Sequence, residues 1–183
     1  MPVVLTRASA VTIDGKAYVF GGCDSSGSSA KQTYCYDPVS NTWTTKANMP
    51  ATLDSTSAVT IDGKAYVFGG YNSSGSYANT TYCYDPVSNT WTTKTNMPVA
   101  LGYTSAVTID GKAYVFGGYD YSSYTVNTTY CYDPVSNTWT TKANIPVTLV
   151  YTSAVTIDGK AYVFGGYNFS DSYVNTTYCY LNG

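Results

Sequence analysis

The 183-residue sequence contains no histidine and no glutamate, so its aspartates and cysteines are the residues to be tested for catalytic or metal-binding chemistry. Without histidine, neither a Ser-His-Asp nor a Cys-His arrangement can be built, and histidine-based copper and zinc sites are excluded. A glycosidase site that pairs tyrosine with glutamate and holds a carboxylate with several arginines is excluded too, since Arg7 is the only arginine. The sequence therefore predicts a protein that is not an enzyme and that needs no metal or other cofactor.

The aspartates are interpreted as turn formers rather than metal ligands. Asp-Gly and Asp-Pro pairs favour tight turns, because the carboxylate bonds to nearby backbone N–H groups and the residue tolerates unusual backbone angles. Seven aspartates precede glycine or proline in this way: Asp14, Asp62, Asp110 and Asp158, and Asp37, Asp85 and Asp133.

The cysteines are interpreted as small buried hydrophobic residues in reduced form. Four of them occupy the same place in successive repeats: Cys35, Cys83, Cys131 and Cys179. Packed sheets lie ~10 Å apart, beyond the ~7 Å Cα separation that a disulfide can bridge. Cys23 replaces a loop tyrosine, so we expect it to be exposed and oxidisable. Unpaired cysteines favour a reducing compartment such as the cytoplasm.

Charge and hydropathy argue against two classes of partner. Nine basic residues and eleven aspartates give a formal net charge of −2 without a basic patch, so we expect binding neither to nucleic acid nor to a membrane surface. No apolar run approaches the ~20 residues of a membrane span, and the opening MPVVLTRASAV lacks the features of a signal peptide. The sequence predicts a soluble chain.

Internal repeats dominate the sequence. The segment SAVTIDGKAYVFGG occurs four times, starting at Ser9, Ser57, Ser105 and Ser153, with a period of 48 residues. There are about 3.8 repeats, approximately 1–48, 49–96, 97–144 and 145–183, because the fourth ends in TTYCYLNG where the others continue with YDPVSNTW. A period near 50 built from strand signals is typical of propellers or solenoids. We therefore interpret 1–183 as a single propeller domain or a half-propeller.

Each repeat predicts four short antiparallel strands, which we call a to d. In the second repeat they are SAVTI (57–61), KAYVF (64–68), TTYCY (80–84) and TWTTK (90–94). The pair Asp62-Gly63 is the signal of a two-residue type I′ hairpin. Strands b and c carry bulky side chains on both faces, so each sheet must lie between two others, as a blade does in a propeller. The last blade is predicted to have three strands.

Three features of each repeat resemble the kelch repeat: a double glycine after an apolar strand, a tyrosine some 14 residues later, and a tryptophan seven residues after that tyrosine. The first three repeats carry all of them: Gly21-Gly22, Tyr36 and Trp43; Gly69-Gly70, Tyr84 and Trp91; Gly117-Gly118, Tyr132 and Trp139. The fourth keeps Gly165-Gly166 and Tyr180 but lacks the tryptophan. The resemblance covers essentially the whole chain and implies an all-β kelch-type propeller, a fold that hosts adaptors, enzymes and scaffolds.

Ring closure is left open by the sequence. Kelch propellers usually close by completing the last blade with strands from both termini, but Met1-Pro2 aligns with Met49-Pro50, beyond strand d. Three arrangements fit: a four-bladed ring of one chain, two half-rings that form an eight-bladed homodimer, or part of a longer array. We favour the homodimer, because it hides the apolar faces of the terminal blades.

Variation between the repeats concentrates in the b-c and d-a connections, which lie at one end of an up-and-down blade. One interpretation is a binding surface, since tyrosine among serine, glycine and asparagine is typical of paratopes. The other is that long loops simply tolerate more variation than two-residue turns. The candidate binding residues are Tyr71, Asn72, Tyr77, Tyr103, Tyr119, Tyr121, Tyr124, Tyr151, Tyr167, Phe169 and Tyr173.

Three functions are consistent with the sequence. The first is a kelch-type protein-interaction module, whose ligand we do not expect to be an acidic peptide because the loop face carries little positive charge. The second is a multivalent carbohydrate-binding propeller. The third is a designed or recently amplified repeat scaffold with no specific ligand, which the near-identity of the repeats favours.

Overall fold

The structure, a computed structural model, describes residues 1–122, 124–168 and 172–181. Its described residues form strands, turns and loops, without a helix. Blade 1 contains β1 (Ser9–Ile13), β2 (Lys16–Phe20), β3 (Thr33–Asp37) and β4 (Thr42–Lys46), and blade 2 contains β5 (Ser57–Ile61), β6 (Lys64–Phe68), β7 (Thr81–Asp85) and β8 (Thr90–Thr93). Blade 3 contains β9 (Ser105–Ile109), β10 (Lys112–Phe116), β11 (Thr129–Asp133) and β12 (Thr138–Lys142). Blade 4 contains β13 (Ser153–Ile157), β14 (Lys160–Phe164) and β17 (Thr177–Tyr180), and its b-c loop carries the hairpin β15 (Tyr167–Asn168) and β16 (Ser172–Tyr173).

The predicted architecture is confirmed: the blades are antiparallel sheets of four, four, four and three strands in a propeller arrangement. Strands a and b have the predicted bounds, whereas strand c begins and ends one residue later than predicted. The Asp-Gly hairpins form as expected, since Asp62 and Gly63 both have positive φ, at 48° and 70°, as a type I′ turn requires.

Adjacent blades meet in three equivalent joints. The forward face of a blade consists, in blade 2, of Val59, Ile61, Tyr66, Phe68 and Cys83, and the rear face of the next blade consists, in blade 3, of Ala113, Val115, Tyr130 and Tyr132. Between the two faces lies the connecting segment, which contributes one methionine or isoleucine and one leucine to each joint. The protein therefore has three repeated cores, one between each pair of neighbouring blades, rather than one central core.

The double glycine is required by the joint. The carbonyl of Leu101 lies so close to Gly69 that a Cβ atom would not fit there, and it accepts a hydrogen bond from the Gly70 N–H at 2.8 Å. Both glycines have positive φ, at 59° and 105°. The close backbone approach that the sequence indicated is therefore made by the connecting segment.

The described blades do not close into a ring. No strand of blade 1 has a Cα atom within 8 Å of a strand of blade 4. On the forward face of blade 4, Val155 and Ile157 are 45% and 50% exposed, whereas their equivalents Val59 and Ile61 in blade 2 are 5% and 3% exposed. The structure is thus an open arc. The forward face of blade 4 is uncovered, and no strand of another blade packs on the rear face of blade 1, where Ala17, Val19 and Tyr36 are half-buried.

Two expectations about cysteine were wrong. Cys23 is buried rather than exposed, because its backbone pairs with Thr6 and Ser29 and places the side chain inside the blade. Cys179 is exposed rather than buried, because it lies on the uncovered forward face of blade 4. The five cysteines are unpaired, as predicted.

Candidate functional site

The two variable connections of each blade lie at the same end of the sheet, which we call the loop face. Each connecting segment pairs with the b-c loop of the blade that it leads into, as Asp54 pairs with Tyr71 and Gly102 pairs with Tyr119. The opposite end carries the invariant turns, where Lys64 forms a 2.9 Å ion pair with Asp85. The loop face and the turn face are therefore separate surfaces, and the sequence differences between repeats fall on the former.

Four residues at the inner edge of the loop face occupy equivalent places and share an unusual backbone conformation. They are Arg7, Ser55, Tyr103 and Tyr151, with φ of 57°, 55°, 58° and 57°. Their backbones form a ladder: the Ser55 N–H donates to the Arg7 carbonyl at 2.9 Å, and the Tyr103 N–H donates to the Ser55 carbonyl at 2.9 Å. The Tyr151 N–H continues the ladder to the Tyr103 carbonyl at 3.3 Å. These bonds hold one side chain from every blade around the axis.

Tyrosines from blades 2 and 3 form a contiguous cluster on this face. The ring of Tyr77 lies at its centre, with ring centroids of Tyr71 and Tyr121 at 5.4 and 5.8 Å. Tyr77 is nearly parallel to Tyr119, at 6.5 Å and an interplanar angle of 10°. The edge-to-face and parallel contacts are the arrangements that aromatic rings favour.

The cluster extends to the backbone ladder through Tyr103, whose ring centroid lies 5.8 Å from that of Tyr119 and 4.7 Å from that of Tyr151. The guanidinium carbon of Arg7 lies 5.8 Å from the centroid of the Tyr103 ring, within cation–π range. The single arginine of the chain is thus attached to the edge of the tyrosine cluster.

A groove of about 450 Å³ opens between the b-c loops of blades 2 and 3. It is lined by Tyr71, Gly75, Tyr77, Tyr119, Asp120, Tyr121 and Tyr124. The Tyr121 hydroxyl donates to the Gly75 carbonyl at 2.7 Å and links the two loops, although the Tyr121 side chain is 75% exposed. The groove therefore has aromatic walls and one carboxylate at its edge.

Two hydroxyl groups of this surface, those of Tyr77 and Tyr151, are held in the neutral form over the physiological pH range. Burial raises the pKa of Tyr77 to about 12, and neighbouring tyrosines add to the shift. Burial likewise raises the pKa of Tyr151 above its ordinary value. The cluster can therefore offer flat apolar rings together with hydrogen-bonding hydroxyls, which suits recognition rather than proton abstraction.

The structure divides the candidate binding residues predicted from the sequence. It joins six of them in the cluster and adds Tyr124 at the groove wall, whereas Tyr167 and Tyr173 form a separate pair on blade 4, with centroids 5.3 Å apart. The Asn72 side chain accepts hydrogen bonds from the backbone N–H groups of Ser74 and Ser76, so it organises its own loop. Phe169 lies outside the described residues.

Sequence reasoning missed two residues of this surface. Arg7 lies 96 residues from Tyr103 along the chain, and only the ladder around the axis brings the two together. Gly75 contributes its carbonyl, which no sequence pattern marks as an acceptor. The period of the repeat could have indicated Arg7, since it is the first-repeat equivalent of Tyr103 and Tyr151.

On the described part of the turn face, the charged side chains stabilise the turns themselves. The aspartates in the Asp-Pro turns behave as predicted: the Asp85 carboxylate accepts from the Val87 N–H at 2.9 Å, and its hydrogen bond to Lys64 holds the pKa of Asp85 below its usual value. A cavity of about 520 Å³ lies against the outer strands of blade 3, where the neighbouring blade 4 has only three strands. Among the described residues, no three Cys or Asp side chains are grouped to hold a metal ion. None of the described residues belongs to a helix that could span a membrane.

Comparisons with known proteins agree with the architecture. The profile of the family described as "KLHDC2/KLHL20/DRC7 Kelch-repeats domain" matches residues 7–181. A solved structure described as "Structure of YjhT" is similar, with a TM-score of 0.78 and 20% sequence identity. The match covers 96% of this chain and 66% of that chain, just under two thirds of its length. No curated protein matches the sequence.

Proposed function

Because the chain belongs to the kelch-repeat family, whose propellers typically serve as non-enzymatic protein-interaction scaffolds, we propose that it is an assembling scaffold. In this proposal, two copies close an eight-bladed ring, and the loop face of the ring binds a partner. Assembly is the better supported of the two parts.

The observation that carries assembly is the pair of uncovered faces at the ends of the arc. The forward face of blade 4 and the rear face of blade 1 carry the same residue types as the faces that pack together in the three joints. Val155, Ile157 and Phe164 on blade 4 are equivalent to Val107, Ile109 and Phe116, which are buried in the joint between blades 3 and 4. A second copy could therefore pack the rear face of its blade 1 against this forward face, with the same residue types that meet in the three joints.

The burial of apolar side chains and the symmetry of two identical chains also support closure of the ring. Fully burying a valine, isoleucine or phenylalanine side chain contributes about 1.5–3 kcal/mol, and a ring of two copies would bury such a face twice. Contact between unlike ends of identical chains forms a closed ring when the rotation between subunits is right, and a filament when it is not. Because each copy contributes four blades, the smallest ring that is formed by more than one copy has two chains and eight blades.

Sedimentation velocity tests the assembly. The wild-type chain should have a mass near twice 19.7 kDa, and Ile157→Asp should be a monomer, because a carboxylate on the forward face of blade 4 would be buried without a partner. The matched control is Val135→Asp, since Val135 is exposed on the turn face, and it should sediment like the wild type. A wild-type monomer at all concentrations, or a filament, would contradict the proposed ring.

The second part of the proposal is supported by the tyrosine cluster and its groove. Aromatic side chains are enriched in the energetically important centres of protein interfaces, and Tyr121 and Tyr124 expose most of their surface beside the groove. The guanidinium of Arg7, the only arginine, lies over the Tyr103 ring. Because this surface carries little other positive charge, it suits a neutral or basic protein segment better than an acidic one.

Binding is tested with an immobilised peptide library and a glycan array, each probed with the wild type, Tyr121→Ala and the turn-face control Val39→Ala. Peptide binding that Tyr121→Ala weakens and Val39→Ala does not would support a protein-interaction surface. Glycan binding with the same dependence would support a carbohydrate-binding propeller instead. No binding in either format would favour a scaffold without a specific ligand and would contradict this part of the proposal.

A further inference from the structure

The connecting segments make a fixed set of backbone hydrogen bonds to the blade that precedes them. The carbonyls of Leu53, Leu101 and Leu149 accept from the N–H groups of Gly22, Gly70 and Gly118 at 2.9, 2.8 and 2.8 Å. The N–H groups of the same leucines donate to the carbonyls of Ala30, Ala78 and Val126 at 2.9, 3.1 and 3.2 Å. Each joint is therefore specified by two backbone bonds to one leucine, in addition to apolar packing.

Blade 4 presents the same backbone site without a connecting segment on it. Gly165 and Gly166 have φ of 57° and 104°, the conformation of the other double glycines. Within the part of the chain that the structure describes, the Gly166 N–H finds no acceptor and the Val174 carbonyl receives no N–H. A Cβ atom built on Gly165 would meet only the Val174 carbonyl, at 3.3 Å, and no leucine carbonyl. The site is preformed and open.

Residues 1–7 have the sequence that fits this site. They read MPVVLTR, and the connecting segments read MPATLDS (49–55), MPVALGY (97–103) and IPVTLVY (145–151). The half of the segment that belongs to blade 1 is already in place, since Thr6 and Cys23 exchange backbone hydrogen bonds at 2.9 and 2.7 Å. The other half is uncovered: Met1 is 50% exposed, whereas its equivalent Met49 is 2% exposed.

We propose that residues 1–7 of one copy act as the connecting segment for blade 4 of a second copy, with the Leu5 carbonyl accepting a hydrogen bond from the Gly166 N–H. The Leu5 N–H donates to the Val174 carbonyl, and the Leu5 carbonyl lies over Gly165, as the Leu101 carbonyl lies over Gly69. The Leu5 side chain lies between the two blades. This inference rests on the proposed ring and assigns the residues that determine its register. Residues 1–7 reach a second copy rather than their own blade 4, because no strand of blade 1 contacts a strand of blade 4 within one chain.

The same docking extends the ladder on the loop face. Within one copy, the ladder runs from Arg7 to Tyr151, and the Arg7 N–H and the Tyr151 carbonyl are its two ends. Docking of residues 1–7 places Arg7 of one copy next to Tyr151 of the other, in the relation that Ser55 has to Arg7. The ladder then becomes continuous around eight blades, and the tyrosine clusters of both copies face the same side of the ring.

A single methyl group tests the docking selectively. Gly165→Ala adds a Cβ where the Leu5 carbonyl of the second copy has to lie, whereas in the isolated chain that Cβ meets only the Val174 carbonyl, at 3.3 Å. The matched control is Gly159→Ala, because Gly159 has φ of 71° and nothing within 4 Å, so it carries a similar backbone strain away from the joint. Sedimentation equilibrium should show that Gly165→Ala weakens dimerisation about 100-fold, since both joints are overpacked, and that Gly159→Ala changes it less than about two-fold.

A second pair of variants guards against misfolding. Leu5→Asp should abolish the dimer, because the Leu5 side chain is buried in the proposed joint, whereas Val4→Asp should not, since the Val4 side chain is 77% exposed. Far-UV circular dichroism should show the same β-sheet content in all four variants.

The outcomes separate this inference from the ring itself. If the wild type is a dimer, and Gly165→Ala and Leu5→Asp dimerise as tightly as their controls, the docking of residues 1–7 is overturned and the ring proposal stands. A wild-type monomer would overturn both. A dimer that is lost in Gly165→Ala and Leu5→Asp, and kept in both controls, is the result that we expect.

Discussion

Buried tyrosines should make the stability of this protein sensitive to alkaline pH. The Tyr84 hydroxyl donates to the Asn89 side-chain oxygen at 2.8 Å, and the Tyr132 hydroxyl donates to Asn137 at 2.7 Å. Burial raises the pKa of both tyrosines from 10.0 to about 12. The neutral form is therefore favoured by the fold, and the resulting stability is fully present below pH 10.

That stability should be lost as the pH rises from 10 to 12, because the unfolded chain releases these protons first. Urea unfolding at pH 8, 10, 11 and 12, followed by circular dichroism, should show a falling midpoint over this interval. Tyr84→Phe should show a shallower fall, since it removes one of the titrating groups. A midpoint independent of pH up to 12, or a fall as steep in Tyr84→Phe as in the wild type, would contradict the assignment.

The chemistry of the residues was easier to predict than their contacts. The absence of histidine and glutamate excludes whole classes of active site from composition alone, and the tyrosines of the loop face are visible as variable positions. The contact between Arg7 and Tyr103 depends on how successive blades rotate around an axis, which no local pattern encodes. Cys23 was predicted as exposed because it replaces a loop tyrosine, but pairing with Thr6 buries it.

At the scale of the element, Trp91 and Trp139 each connect their own blade to the preceding one. The Trp91 indole N–H donates to the Ala47 carbonyl at 2.9 Å, and the Trp91 ring meets Phe20 edge to face at 5.3 Å. Trp43 stacks on Tyr36 of its own blade at 5.0 Å, much as Trp91 stacks on Tyr84 at 5.1 Å. Only Trp91 of this pair therefore has a preceding blade within the chain.

Trp91→Phe should lower the free energy of unfolding by about 1–2 kcal/mol more than Trp43→Phe does. It leaves the Ala47 carbonyl without its hydrogen bond and removes ring atoms that pack between blades 1 and 2. The two variants are compared by urea unfolding in the Ile157→Asp background, which keeps blade 1 free of a second copy. Equal costs for the two substitutions would show that packing within the blade, rather than the joint, determines the contribution of the tryptophan.

Strands a and b could be predicted to the residue because the Asp-Gly turn fixes their register. Strand c was placed one residue too early, since TTYCYD has no sharp start and its first residue is selected by pairing with Phe68. The hairpin formed by β15 and β16 was not predicted, because its residues read as an ordinary polar loop. Turn chemistry thus determines the boundaries that have a turn beside them, and pairing determines the others.

At the scale of the whole molecule, ring closure should make thermal stability depend on protein concentration. Partners that bind only the folded state raise the unfolding temperature by mass action. For a dimer of 183-residue chains, each tenfold rise in concentration should raise Tm by about 2 °C, given an unfolding enthalpy of about 0.7 kcal/mol per residue.

Differential scanning calorimetry over two decades of concentration measures this dependence. Ile157→Asp, as a monomer, should have a Tm that does not change with concentration, and it should lie below that of the wild type. A wild-type Tm that is equally independent of concentration would argue that the chains do not associate in their folded state.

The backbone ladder of Arg7, Ser55, Tyr103 and Tyr151 has a consequence for how the loop face can diversify. Its hydrogen bonds join N–H groups to carbonyls and involve no side-chain atom, so the attachment of one blade to the next requires only a residue that has an N–H group and tolerates a positive φ. An arginine, a serine and two tyrosines already occupy the four places. The four side chains around the axis can therefore be exchanged one blade at a time. Such exchanges would change the ligand preference of the loop face and preserve the backbone ladder.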